Sequence, residues 1–263
     1  MRAEWALTAA IVLLVPILTL AREDATSIVQ KSVAANKRDW AAAPQFDYTE
    51  LDRDKNGSKT YAVTTILGSP YKRLIADNGH PLGASRAAQE QNKFEQEVAK
   101  RRHESPSERS ARIAKYEAER RRDHTMMEQL TSAFDFQLTG EQKMKGHTVY
   151  VLIATPRKGY KPPDRDSEVL TGMQGMLWID KDTFQWVKVE AHVIHPVTIE
   201  GFLATVERGT KFELEKIPVT PDVWLPSHFS MKSNAKVFFV FSKHSQEDDT
   251  FSNYHKRQPE AAD

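Results

Sequence analysis

The stretch Gly175-Met-Leu-Trp-Ile-Asp-Lys-Asp-Thr-Phe-Gln-Trp-Val-Lys-Val-Glu-Ala-His-Val193 decides the fold class. An apolar run ends at Asp180-Lys-Asp182, and from Gln185 onward apolar and polar residues alternate, the pattern of two strands joined by a turn. On that alternation Val187, Val189, Ala191 and Val193 share one side, and Trp186, Lys188, Glu190 and His192 the other. The pattern extends in both directions. About nine short apolar segments run from Phe134 to Tyr254, among them His147-Thr-Val-Tyr-Val-Leu-Ile153 behind the polar turn Gly140 to Gly146. Lys236-Val-Phe-Phe-Val-Phe241 is apolar on both faces, so it needs cover on both sides of a sheet.

Upstream, Asp24-Ala-Thr-Ser27 starts a helix that ends before Pro44. Residues 46–51, 59–67 and 71–76 alternate as strands, with Asn56-Gly57 at the tip of a hairpin. From Gly83 to about Ala133 the period lengthens: Ala87, Gln91, Phe94 and Val98 predict one helix, and Ser105-Pro-Ser-Glu108 is a capping box that opens a second. Between Lys93 and Asp123 this hairpin holds ten Lys or Arg and seven Asp or Glu. Interleaved signs favour a solvated pair of helices with ion pairs such as Glu97 with Arg101 and Glu108 with Arg112; the alternative is a basic arm for a partner.

The first residues set the compartment. Trp5 to Ala21 is an uncharged run of 17 residues, short for a membrane span and interrupted by Pro16, so residues 1–21 fit a cleaved secretory signal and 22–263 a single mature domain; a retained N-terminal anchor is the alternative. The chain has no cysteine, which excludes disulfides, thiolate catalysis and lipidation through cysteine. Losing Arg2 and Glu4 with the signal leaves the net charge near neutral, which supplies no field for nucleic acid.

No catalytic constellation stands out. His192 and His195 lie three apart, on opposite faces of a strand, and Asp180 and Asp182 fit a turn. No phosphate loop, nucleophile elbow or zinc motif is present. The expectation is therefore no enzyme, no cofactor and no metal. The aromatic and methionine residues Met176, Trp178, Trp186, Phe202, Phe212, Trp224, Phe229, Met231 and Phe239 are either core or the lining of an apolar cavity; Arg73 is a candidate polar contact at a rim or lid.

Several motifs together resemble the bacterial outer-membrane lipoprotein-sorting and periplasmic lipoprotein-carrier superfamily: Gly140-Glu-Gln-Lys-Met-Lys-Gly-His-Thr-Val-Tyr-Val-Leu152, the turn Trp178-Ile-Asp-Lys-Asp-Thr-Phe184, Val187-Lys-Val-Glu190 and Val223-Trp-Leu-Pro226. The resemblance spans about Asp24 to Tyr254 and implies an α+β fold. It would be a strongly curved, unclosed antiparallel β-barrel of about 11–12 strands, with helices over the concave face and the charged hairpin 84–133 as an excursion. It implies a soluble, monomeric periplasmic carrier of lipoprotein acyl chains or lipids that meets an inner- or outer-membrane partner protein. The alternative is an envelope sensor or adaptor that binds a protein on the same fold.

Overall fold

Asp24 stands in extended backbone and accepts from the Ser27 amide at 2.9 Å, which opens helix α1 (Ala25–Ala42). The chain leaves it through a short turn at Ala43–Gln45 that carries Pro44. The structure, a computed structural model, describes residues 24–199, 204–237 and 241–257. Three strands follow, β1 (Phe46–Asp54), β2 (Gly57–Ile66) and β3 (Ser69–Asp77), with a two-residue strand β4 (His80–Pro81). Helices α2 (Ala84–Arg102), α3 (Pro106–Glu128) and α4 (Leu130–Ala133) come next. The rest is β5 (Phe134–Met144), β6 (His147–Pro156), a 3-10 segment at Asp166–Gly172, β7 (Met173–Asp180), β8 (Trp186–Val193), β9 (Val197–Ile199), β10 (Ala204–Val206), β11 (Lys211–Pro218), β12 (Trp224–Val237) and β13 (Phe241–Lys256). The capping box forms as the sequence predicts, Ser105 Oγ accepting from the Glu108 amide and Glu108 from the Ser105 amide.

All strands join one antiparallel sheet in the order β4-β3-β2-β1-β13-β12-β11-β8-β7-β6-β5, with β9 and β10 attached beside β12. The strongly curved barrel of about 11–12 strands is thereby corrected: the sheet has 13 strands, is neither closed nor strongly curled, and runs as one path between separate edges. The two edges, β4 and β5, are consecutive strands, and the chain passes between them through α2, α3 and α4 instead of pairing them. Edge β5 is further blunted by a bulge between Leu138 and Gly140 and by Asp135, Glu141 and Lys143.

One core lies between the helices and the sheet. Ile28 and Val29 of α1 meet Tyr150, Leu152, Leu177, Ile179, Trp186 and Val193. A second, smaller cluster of Val149, Val151, Trp178, Val187 and Trp224 packs apart from it, with Met144 and Met176 beside it. Strict alternation along β8 fails at a bulge between Trp178 and Ile179: Trp186 joins Val189, Ala191 and Val193 in the core under α1, and Val187 joins Trp178 and Trp224. Residues 238–240 of the doubly apolar run 236–241 lie outside the described residues.

Helix α2 runs beside β3, and α3 turns over the β2–β3 connection. That connection is tight: Leu67 and Gly68 both have positive φ, at 44° and 94°. A Cβ on Gly68 would stand 2.7 Å from Ile113 Cδ1 of α3. Gly68→Ala is therefore expected to lower stability by about 1–2 kcal/mol, measured by urea unfolding; an unchanged midpoint would refute this packing of α3 on the turn.

Candidate functional site

The inward stripe of α1 is half polar: Ser32, Asn36 and Asp39 are at most 2% exposed, alongside Ile28, Val29 and Ala35. Such groups need partners when buried. Lys216 of β11 supplies them, its ammonium 2.5 Å from Asp39 Oδ2 and 2.8 Å from Asn36 Oδ1. Asp39 Oδ1 also accepts from Gln185 Nε2 and from the Trp224 amide, each at 3.0 Å, and Ser32 Oγ accepts from Trp186 Nε1 at 3.2 Å. Burial pushes the Lys216 ammonium below its usual range against the opposing pull of Asp39. A depressed lysine beside a carboxylate suits catalysis in an open cleft. Here helix and sheet seal both side chains, 6% and 3% exposed, so the group is an anchor for α1.

The charged hairpin is anchored too. Arg101, 5% exposed, donates from Nη1 to the carbonyls of Ile66 at 3.0 Å and Ser69 at 2.7 Å, and pairs with Glu97 at 2.7 Å. Arg112 donates to Ser69 Oγ at 2.7 Å and to the Leu67 carbonyl at 3.1 Å, and pairs with Glu104 at 2.6 Å. The expected Glu97–Arg101 pair forms; the expected Glu108–Arg112 pair does not, because Glu108 is held by the Ser105 cap. Further along α3, Arg120 and His124 enclose the Trp40 ring, at 4.4 Å and 4.5 Å. Arg101, Arg112 and Arg120 of the hairpin are thus engaged inside the molecule.

What is left is the sheet surface over β1, β13, β12 and β11. Helix α1 covers one end of it, at Trp224 of β12 and Lys216 of β11, and Phe212 and Leu214 pack against the core under α1, from which this face continues toward β13 and β1. Cross-strand register places Glu50 opposite Phe251 and Asp52 opposite Asp249. It continues Asp249 to Phe229 and Glu247 to Met231, then Met231 to Phe212 and Phe229 to Leu214. Directly opposed residues share a face, so one surface carries Phe212, Leu214, Phe229, Met231 and Phe251, all half-buried, among four carboxylates. A depression of about 380 Å³ at this level belongs mainly to the opposite face, where register groups Glu190, His192, Lys211, Glu213, Lys232 and Asp248.

The carboxylates are not alike. Glu50 is buried and pairs with Lys72 at 2.5 Å. Asp249 is 8% exposed, and its Oδ1 finds no hydrogen-bond donor among the described residues. Burial first, then the neighbouring charges of Glu247, Glu50 and Asp52, push its carboxyl up to about 7. Tyr48 lies beside it with Tyr254 at 5.3 Å and Phe251 at 5.9 Å, and burial raises both tyrosine hydroxyls well above their usual range. Among the described residues no group of three His, Asp or Glu could hold a metal ion.

The residues singled out in the sequence separate into several places. Phe229 and Met231 lie on the open surface, with Phe212 at its border against the core under α1; Trp178 and Trp224 pack in the second cluster with Met176 at its margin; and Trp186 is sealed under α1. Arg73 holds its guanidinium 5.7 Å from the Phe94 ring of α2. Phe202 and Phe239 lie outside the described residues. Sequence reading missed Asp249, Glu50 and Phe251, because only the pairing of β1 with β13 brings them together.

No protein-family model and no curated protein matches the chain. Among solved structures several are similar to it at low identity and high coverage. A Vibrio parahaemolyticus domain named for outer-membrane lipoprotein sorting is 12% identical over 88% of this chain and 94% of its own, with a TM-score of 0.34. A LolA superfamily protein from Nitrosomonas europaea is 13% identical over 90% and 95%, with a TM-score of 0.33. The MucA/MucB complex of Pseudomonas aeruginosa gives 12% identity over 84% and 93%, with a TM-score of 0.20. No described helix is long and apolar enough to cross a membrane.

Proposed function

We propose that the protein is an exported, non-catalytic adaptor that holds a polypeptide segment of a partner on the open surface of β1, β13, β12 and β11. The observation that carries this reading is the mixture of half-buried apolar side chains with Glu50, Asp52, Glu247 and Asp249. Covering ionised carboxylates with hydrocarbon costs several kcal/mol each unless a counter-charge arrives. A polypeptide can bring apolar and basic groups in one strand; an acyl chain cannot. Export rests on residues 1–21, which read as a signal.

A lipid or lipoprotein carrier is the second reading, favoured by the run Phe212, Leu214, Phe229, Met231 and Phe251, since each methylene removed from water contributes about 0.8 kcal/mol. The two are separated by isolating the protein from cells that express it, extracting it into organic solvent and measuring acyl species by mass spectrometry. The adaptor reading expects none at stoichiometric level. One acyl chain or more per protein molecule would replace it with the carrier reading.

A further inference from the structure

We infer that Asp249 is the seat for a basic side chain, lysine or arginine, of the bound polypeptide. The inference rests on the adaptor reading and adds to it the chemistry of the partner. Three observations converge. The Oδ1 atom of Asp249 is shielded from solvent yet has no donor among the described residues, although buried acceptors are almost always satisfied. Register surrounds it on its own face with Asp52, Glu50 and Glu247. Aromatic rings border the place, Phe229 directly opposite and Phe251 two residues along the strand, with Tyr48 and Tyr254 beyond. Carboxylates bordered by ring faces are the surroundings that a desolvated ammonium or guanidinium prefers.

The cations already present do not fill the place. Lys72 is paired with Glu50, and Lys59 stands opposite Asp52 on β2. Neither forms an ion pair with Asp249. Lys72 pulls on Asp249 without pairing with it, and on α3 Arg120 stands over the Tyr116 ring; the other titratable groups that act on the place are Glu50, Asp52, Glu247, Tyr48, Tyr254 and Tyr116, all acids. An arriving cation would offset their mutual repulsion, and it would pull the Asp249 carboxyl down from about 7. Binding then releases a proton, so a basic ligand is held more tightly as pH rises from about 6 to about 8.

The test uses the purified protein and three short fluorescein-labelled peptides of alternating leucine with lysine, glutamine or glutamate, read by fluorescence anisotropy. The lysine peptide is expected to bind about tenfold tighter than the glutamine peptide, and to tighten between about pH 6 and pH 8. Asp249→Asn should abolish both differences. Asparagine removes an unpaired buried charge at constant shape, so thermal unfolding should show no loss of stability, and a weaker lysine peptide then reports lost pairing. Equal binding of the lysine and glutamine peptides, or an unchanged lysine peptide in Asp249→Asn, would overturn the inference and leave the adaptor reading standing. Binding of none of the three would overturn both.

Discussion

Asp39→Ala is expected to destabilise the fold by about 3–5 kcal/mol, the cost of leaving a buried charge without its partner. The carboxylate holds Lys216, Gln185 and the Trp224 amide at once, so its removal strands an ammonium and two further donors under α1. Only the first of these can be relieved by losing a proton. The double change Asp39→Leu with Lys216→Met, which replaces the pair with apolar side chains of similar size, should recover most of the loss. Guanidinium unfolding monitored by tryptophan fluorescence checks both, since Trp186 and Trp224 border the pair. A loss below about 1 kcal/mol for the single change would mean that α1 is not held by this group.

Arg101→Ala carries the second large effect, about 2–4 kcal/mol, because charge-assisted bonds to buried carbonyls are among the stronger ones and their removal leaves acceptors dry. The loss should also be local. Arg101 joins the end of α2 to the carbonyls of Ile66 and Ser69, whereas the long β5–β8 ladder makes no use of it. Hydrogen exchange should therefore speed up through α2 and α3, with β6 and β7 keeping their protection. Arg101→Lys should rescue little, since an ammonium cannot serve several acceptors in the plane of a guanidinium fork. Uniform loss of protection throughout the chain would contradict the idea that the hairpin is a separately clamped unit.

Much of the local structure was legible from the residues. Asp24 and Ser105 marked helix starts, Pro106 and Glu108 completed a cap, and Asn56-Gly57 marked a turn. These signals act over a few residues, where the sequence carries its own physics. The shape of the sheet was not legible in this way. Curl and closure depend on register, bulges and what covers each edge, and the bulge that moves Trp186 to the α1 side leaves no mark in the alternation of Gln185 to Val193.

The candidate surface was half legible. Phe212, Phe229 and Met231 stood out as apolar residues in strands, and they lie together on it. Asp249 did not, because Gln246-Glu-Asp-Asp249 reads as a solvated charge run. Its burial follows from the pairing of β13 with both β1 and β12, which puts Asp52 and Phe229 on either side. Lys216 was equally hidden: its partner Asp39 is 177 residues away, and both lie in segments of mixed polarity. Buried polar anchors of this kind cannot be told from surface charges until the strands are in register.

On the adaptor reading, the open surface of β1, β13, β12 and β11 holds a polypeptide. Site-specific photocrosslinking in cells that express the protein tests it most directly. A photoreactive amino acid would be placed at Met231 on this surface and, as a control, at Lys188, which lies over the Trp178 ring of the second cluster. A discrete protein adduct is expected from position 231, its crosslinked peptide carrying a lysine or arginine next to apolar residues, and no such adduct from position 188. Lipid adducts alone at position 231, or the same adducts from both positions, would contradict it.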